Sequence, residues 1–135
     1  MSTELNGHAS PYDLGMDALV RAGIASVGRD LLDRPALHEP VRPRLVGLRA
    51  ANRKDRFLGG AQLTVTDTAT EACGYVTSSA YSPHLGEWVG LGFVARNFAA
   101  DGTRLIGRDP LRGGNVSVEV VSTIHLDRDG MRMKA

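Results

Sequence analysis

The sequence predicts a mainly β domain, an antiparallel barrel or sandwich of about six strands, with a short α-helical segment before it. Two observations carry this prediction. From residue 44 onward, short runs of apolar and β-branched residues recur at similar spacing, and the turns between them are rich in glycine. The chain of 135 residues is also long enough to bury one core without disulfides.

Residues 1–40 predict a tail followed by a docking segment. Residues 1–11 are small and polar, which is typical of a flexible tail. Asp13 suits a helix N-cap, Gly23 suits a helix end, and a second short helix is expected over residues 28–33. Because residues 12–40 carry few large apolar side chains, we expect this helical segment to dock against another surface. The inward-facing side chains of the two helices are predicted to be Met16, Leu19, Val20, Leu31 and Leu32.

Residues 41–135 are expected to form the β domain, because the apolar pattern changes there to short strands. The last strand alternates most clearly, which predicts that Val116, Val118 and Val120 point inward. Residues 77–87 carry hydroxyl side chains, a proline and a glycine, and they predict a rigid polar turn. The predicted strands are 44–49, 61–66, 72–77, 88–95, 103–107 and 115–121, and residues 122–126 close the series.

Charge and cysteine content exclude several classes of function. The formal net charge is +1, so no overall field would draw the chain to nucleic acid or to a membrane surface. No apolar run approaches the roughly 20 residues that span a bilayer, and residues 1–11 lack a signal-peptide pattern. The single cysteine, Cys73, cannot form an internal disulfide and is expected to be a small core residue. We therefore expect a cytoplasmic protein that binds neither nucleic acid nor membrane.

A cluster of basic residues surrounds the first predicted strand and the loop after it. It could bind a polyanionic ligand, such as a nucleotide phosphate or the glutamate tail of a folate. It could equally be a solvated face, or the rim of a contact with an acidic partner subunit. The cluster has no interleaved aromatic residues, which argues against nucleic acid. Its members are Arg42, Arg44, Arg49, Arg53, Lys54 and Arg56.

No catalytic residue and no metal site is predicted. The four histidines are dispersed, and none has a metal-ligand partner at helical or turn spacing. His125, Asp127 and Asp129 could share an ion, but a hairpin turn explains the two aspartates more simply. The Gly-Leu-Gly run at residues 90–92 lies inside a predicted strand with no helix after it, so it is not a dinucleotide loop.

Motifs in the middle of the chain resemble the C-terminal barrel domain of glycine cleavage T-proteins. The signature of that family is a Gly-Tyr-Val-Thr-Ser run, a Ser-Pro-x-Leu-Gly turn and a buried strand. The corresponding residues here are Gly74-Tyr75-Val76-Thr77-Ser78, Tyr81-Ser82-Pro83-His84-Leu85-Gly86 and Val89-Gly90-Leu91-Gly92-Phe93-Val94.

Within this family, the chain is most similar to the C-terminal region of the alpha subunit of heterotetrameric sarcosine oxidases. The resemblance covers residues 12–132 and departs at Ser26, where the family usually has phenylalanine. The catalytic and folate-binding carboxylates of the family belong to preceding domains, and no residue here matches a catalytic acid. The segments that carry the closer likeness are Tyr12-Asp13-Leu14-Gly15-Met16, Asp55-Arg56-Phe57-Leu58-Gly59-Gly60-Ala61-Gln62-Leu63 and Asp109-Pro110-Leu111-Arg112-Gly113-Gly114.

The resemblance implies a jelly-roll-like antiparallel barrel over residues 41–135. It implies a small non-catalytic subunit of a multi-subunit, flavin-dependent amine oxidase or dehydrogenase similar to sarcosine oxidase. Such a subunit would help to form a folate and one-carbon site, so tetrahydrofolate is the expected cofactor. FAD or FMN is expected in the larger flavoprotein subunits of the hetero-oligomer. The alternative is a stand-alone binding module for folate or another anionic small molecule.

The resemblance also gives roles to individual residues. Arg49, Arg53 and Tyr81 are the expected folate contacts. Tyr81, His84 and Trp88 are expected at the interface with the larger subunits, because an exposed aromatic side chain is a favourable interface anchor. No residue of the chain is expected to be catalytic.

Overall fold

Six antiparallel strands close into a barrel. The computed structural model describes residues 4–5, 7–20, 23–24, 26–112 and 114–134. The mainly β fold class predicted from the sequence is confirmed. The strands are β1 (Pro43–Ala50), β2 (Gln62–Thr64), β3 (Gly74–Ser82), β4 (Glu87–Ala95), β5 (Arg104–Arg108) and β6 (Asn115–Val121).

Some sequence predictions fall on residues outside those described. They are residues 1–3 and 6 of the predicted tail, residues 21 and 22 of the first predicted helix, and residue 113 of the turn before β6.

Around the barrel the strands follow the order β1-β4-β3-β2-β5-β6, and every neighbouring pair is antiparallel. The barrel closes because β6 pairs back with β1, which places Leu48 opposite Val120. The other side of β1 pairs with β4, where Leu48 lies opposite Gly90. Closure leaves no strand edge unpaired along these ladders, so another chain cannot add a strand to them and would have to contact a different surface of the protein.

The core lies inside the barrel and follows the alternation of the strands. On β1, Val46, Leu48 and Ala50 point inward, and on β6 Val118 and Val120 do the same. This confirms the inward face predicted for β6, whose Val116 packs partly buried against the same cluster. Fully burying one Leu or Val side chain stabilises a fold by about 1.5–3 kcal/mol. The remaining core residues are Phe57, Ala61, Leu63, Val76, Val94 and Leu105.

The polar turn predicted over residues 77–87 is wrong in extent. Strand β3 continues to Ser82, with a bulge between Val76 and Ser78, and Tyr81 pairs with Trp88 of β4. Threonine and tyrosine favour strands, and pairing with β4 satisfies the backbone better than the hydroxyl side chains would. The turn is therefore confined to residues 83–86.

The α-helical segment predicted before the barrel is instead a series of single 3₁₀ turns, and no α-helix occurs in the described residues. The turns are Asp17–Leu19, Arg29–Leu31 and Pro35–Leu37. Gly15 and Gly28 precede the first two turns with φ of 72° and 84°. That left-handed conformation cannot continue an α-helix, so neither turn extends toward the N-terminus past its glycine.

Three of the five side chains predicted to face inward from those helices are exposed, while Val20 and Leu32 are half-buried. Leu19 and Leu31 are exposed, and so is Met16. The reason is that a single 3₁₀ turn cannot present a continuous apolar stripe, which needs several turns of α-helix.

The chain after β6 was predicted to close the series of strands, but it forms no strand. It turns back over the outer face of β1, where a side chain at Gly47 would lie 2.7 Å from the carbonyl carbon of Ser122. Glycine is therefore required at this crossing. The segment then reaches β4, where a ring nitrogen of His125 lies 3.1 Å from the carbonyl oxygen of Gly90.

Candidate functional site

The end of the β3–β4 hairpin carries a stack of two aromatic rings and an arginine. Register places Tyr81 opposite Trp88, and their ring centroids lie 6.0 Å apart in an edge-on arrangement. The guanidinium of Arg56 lies 5.0 Å from the centre of the Trp88 ring. Tyr81 is half exposed, so the stack presents an aromatic edge and a cation to solvent. Rigid aromatic side chains with a neighbouring arginine are the composition that protein interfaces favour.

The basic cluster predicted from the sequence does not form one patch. Register puts Arg49 opposite Glu119, and its Nη2 donates to Glu119 Oε1 at 3.0 Å. Arg53 Nε lies 3.6 Å from Glu87 Oε2. Arg44 lies at the opposite end of β1, where its Nη2 is 3.6 Å from Asp17. Each of these three arginines therefore faces its own carboxylate.

A small groove of about 250 Å³ lies beside Arg49. Glu87, Ser122 and His125 also line it, and Glu87 links it to Arg53. Of the three predicted folate contacts, Arg49 lines this groove and Arg53 contacts its lining residue Glu87. The third, Tyr81, belongs to the stack on Trp88.

The third residue predicted at the interface, His84, lies in the turn between β3 and β4. Its Nε2 is 3.3 Å from Nη2 of Arg132, in the segment after β6. Since arginine can only donate, a hydrogen bond at this contact runs from Arg132 to Nε2 of His84. Its place at an interface remains a prediction.

The sequence prediction missed an ion network around Asp13. Its carboxylate is fully buried and accepts hydrogen bonds from the backbone N and the Oγ of Ser10, each at 2.9 Å. Arg42 donates to the same carboxylate through Nε at 3.3 Å and through Nη2, and Arg96 donates through Nη2 at 3.3 Å. The network joins the N-terminal segment to the residue before β1 and to the residue after β4.

Burial and hydrogen bonding act on the pKa of Asp13 in opposite directions. Burial raises it, while the hydrogen bonds from Arg42 and Ser10 lower it by more, so the pKa of Asp13 lies below its ordinary value of 3.8. The same bond to Asp13 raises the pKa of Arg42. The helix N-cap predicted at Asp13 is wrong, because no helix begins there. One signal in the sequence could have indicated the role of Asp13 in the ion network. Residues 12–16 resemble the family as a run, whereas a helix cap would need only the single residue Asp13.

An apolar groove of about 570 Å³ lies on the N-terminal segment. Val27 is fully exposed beside it, and Leu19, Ile24 and Leu31 each expose more than half of their surface. Exposed apolar residues this close together are uncommon on a monomer and typical of contact surfaces. The residues that line the groove include Leu19, Val20, Ile24, Val27, Leu31 and Leu32.

Neither a reactive thiol nor a metal site is supported in the described part of the chain. Cys73 packs against the core as predicted, its thiol donates to the carbonyl of Leu63 at 3.3 Å, and burial raises its pKa. Across the residues that the structure describes, no group of three His, Cys, Asp or Glu side chains is placed to hold a metal ion. In that same part of the chain, no helix has the length and apolar content needed to cross a membrane.

Comparison with known proteins relates the barrel to two groups of enzymes. The chain is 32% identical to sarcosine oxidase subunit alpha of Rhizobium meliloti over 96% of its own length and 14% of the relative. It is 36% identical to an aminomethyltransferase of Streptomyces avermitilis over 88% of its own length and 32% of the relative. The chain therefore spans less than a third of the length of these relatives.

A solved structure and a family match agree with this. The crystal structure of aminomethyltransferase T from Bartonella henselae shares the fold with a TM-score of 0.68, at 24% identity, over 84% of this chain and 31% of that chain. Residues 44–127, well over half of the chain, match the family described as the glycine cleavage T-protein C-terminal barrel domain. The chain belongs to that family, as the C-terminal barrel domain of aminomethyltransferase and sarcosine oxidase alpha-like proteins.

Proposed function

We propose that this chain acts as a small non-catalytic subunit of a flavin-dependent amine oxidase or dehydrogenase similar to sarcosine oxidase. In this assembly, which would operate in the cytoplasm, larger flavoprotein chains hold FAD or FMN and oxidise the amine. The barrel forms part of the assembly interface and helps to enclose a folate site, where tetrahydrofolate receives the one-carbon unit.

The observation that carries the proposal is the apolar groove on the N-terminal segment. The barrel does not cover Leu19, Ile24 or Val27, and the ion network at Asp13 fixes the start of the segment. Sarcosine oxidase subunit alpha of Rhizobium meliloti matches the whole of this region, and most of that relative lies outside the match. A chain that resembles the unmatched part is the occupant we assign to the groove. Burying these apolar side chains would contribute about 25 cal/mol per Å² of area removed from water.

The stack of Arg56, Trp88 and Tyr81 supports a second point of contact at the turn between β3 and β4. Its rings are held by cross-strand pairing and by the arginine, so little conformational entropy would be lost on binding. His84 lies in the same turn and would extend this contact.

The folate part of the proposal rests on Arg49 and Arg53. Their side chains are 45% and 76% exposed, so each can present further N–H donors to a carboxylate of the ligand while its contact with Glu119 or Glu87 is kept. Tyr81 would supply a ring for stacking. Folate bound here would lie between the barrel and the larger chain.

Co-purification tests the subunit role. The chain is co-expressed with a larger, affinity-tagged sarcosine-oxidase-like flavoprotein chain of the same organism, and the bound fraction is measured. We expect the wild type to be retained and Leu19→Asp to be lost, because the aspartate would have to be buried at the interface. Leu111→Asp is the matched control, since Leu111 is an exposed leucine too but lies in the β5–β6 turn. A wild-type chain that is never retained contradicts the subunit role.

The second candidate is a stand-alone binding module for folate or another anionic small molecule, which the groove beside Arg49 favours. Titration calorimetry of the isolated chain with tetrahydrofolate separates the two candidates. One-to-one binding that Arg49→Ala or Arg53→Ala weakens supports the module, whereas no binding to the isolated chain supports the subunit.

A further inference from the structure

A second groove, of about 530 Å³, opens at the start of β1. It lies between the N-terminal segment, which contributes Gly15, and the chain that follows β6. Three arginines line it, Arg44, Arg96 and Arg128, and Thr123 adds a hydroxyl group. A groove with this lining is polar and positively charged.

Arg96 shares its carboxylate with a second arginine. Asp13 pairs with both Arg42 and Arg96, and Glu39 also acts on Arg42, so Arg96 has only a share of one paired carboxylate. In addition, Nε of Arg96 is buried and has no hydrogen-bond partner among the described residues. A buried donor in this state has lost its water without gaining an acceptor, which is unfavourable. An anion in the groove would supply a further counter-charge to the guanidinium of Arg96.

The other charges at the groove determine its net sign. Arg128 is exposed, and Arg44 has only a long contact of 3.6 Å with Asp17, which solvent screens. Asp101 also lines the groove and opposes an anion. The residues that line the groove include three arginines and one aspartate, so the lining itself carries a positive charge.

We propose that this groove binds a small oxyanion, a carboxylate or a phosphate, through the guanidiniums of Arg96 and Arg128. Each guanidinium presents a planar set of N–H donors that matches two oxygens of such a group. The site differs from the groove beside Arg49, because none of Arg44, Arg96 and Arg128 lines that groove. The proposal requires neither a flavoprotein nor folate, so it stands or falls separately from the subunit role.

The test is an NMR titration of the full chain with inorganic phosphate, and separately with citrate, at ionic strength held constant with sodium chloride. We expect the amide signals of Thr123 and Ile124 to shift in a saturable way, with a dissociation constant on the order of 1 mM. The stronger of the two anions identifies the class that the groove prefers.

Three variants locate the site. Arg128→Gln is expected to weaken binding about tenfold, because a charge-assisted pair of hydrogen bonds is lost. Asp101→Asn is expected to strengthen binding about threefold, because it removes a repelling charge. Arg104→Gln is the matched control, since Arg104 is an exposed arginine outside the groove, and it should leave the affinity unchanged.

The proposal is overturned if neither anion gives saturable shifts at these amides. It is also overturned if Arg128→Gln binds as well as the wild type, or if Arg104→Gln weakens binding as much as Arg128→Gln does. In that last case, the general surface charge rather than the groove would attract the anion.

Discussion

Replacing Asp13 by asparagine tests how the N-terminal segment is attached to the barrel. The change keeps the size of the side chain but removes the charge that Arg42 and Arg96 share. It also replaces one accepting oxygen by an NH₂ group, and every neighbour that bonds to this side chain is a donor. Two guanidiniums would then lie close together without a counter-charge.

The expected cost follows from burial. Removing one partner of a fully buried ion pair costs about 3–5 kcal/mol. Here Asp13 is fully buried, but Arg42 and Arg96 keep 23% and 24% of their side-chain surface exposed, so water relieves part of the uncompensated charge. We therefore expect Asp13→Asn to lower the free energy of unfolding by about 2–3 kcal/mol.

Urea unfolding and hydrogen exchange measure this loss. The amides of Leu14 and Met16 donate to Ser10 and Pro11 in the attached segment, so their exchange should accelerate by about the same free energy. Asp17→Asn is the control, because Asp17 is half exposed and its contact with Arg44 is long, so the expected loss is below about 0.5 kcal/mol. If Asp13→Asn costs no more than this control and leaves both amides protected, the ion network does not hold the segment.

Three further outcomes are expected. Because the pKa of Asp13 is lower in the folded state, its contribution to stability is present above its ordinary pKa of 3.8 and is lost as the pH falls below that value. Acid titration by circular dichroism should therefore show that the stability of Asp13→Asn depends less on pH in this range than the stability of the wild type does. Gly47→Ala should lower the free energy of unfolding in urea by about 2–3 kcal/mol, because its Cβ would overlap the backbone of Ser122. Gly107→Ala is the control and should cost less than about 1 kcal/mol, since its Cβ would lie 3.5 Å from the nearest backbone oxygen. Arg56→Gln should change the fluorescence of Trp88, the single tryptophan, because it removes the cation from the ring; an unchanged spectrum would show that the two side chains are not stacked in solution.

The barrel could be predicted from the sequence because its signal is local. The alternation of Val116, Val118 and Val120 indicates both a strand and its buried face, and β6 lies where this pattern places it. The apolar run that became β4 is equally local. The end of β3 was less clear, because hydroxyl residues suit either a turn or a strand, and only pairing with β4 decides between them.

The candidate sites could be predicted only in part, because they depend on contacts between distant residues. Asp13, Arg42 and Arg96 meet only after the barrel has closed, and no spacing in the sequence relates them. The basic cluster failed as one patch for the same reason, since the carboxylate that faces Arg49 comes from β6. The strand register places Tyr81 opposite Trp88, and its role as a folate or interface contact stays a prediction.

The central claim is that the exposed apolar groove of the N-terminal segment docks on a larger flavoprotein chain. Sedimentation velocity tests it most directly, with the two purified chains mixed and the boundary followed by flavin absorbance. We predict that the flavin boundary moves faster when this chain is added, and that Val27→Asp abolishes the change while Leu111→Asp does not. A flavin boundary that the wild-type chain leaves unchanged would contradict the claim.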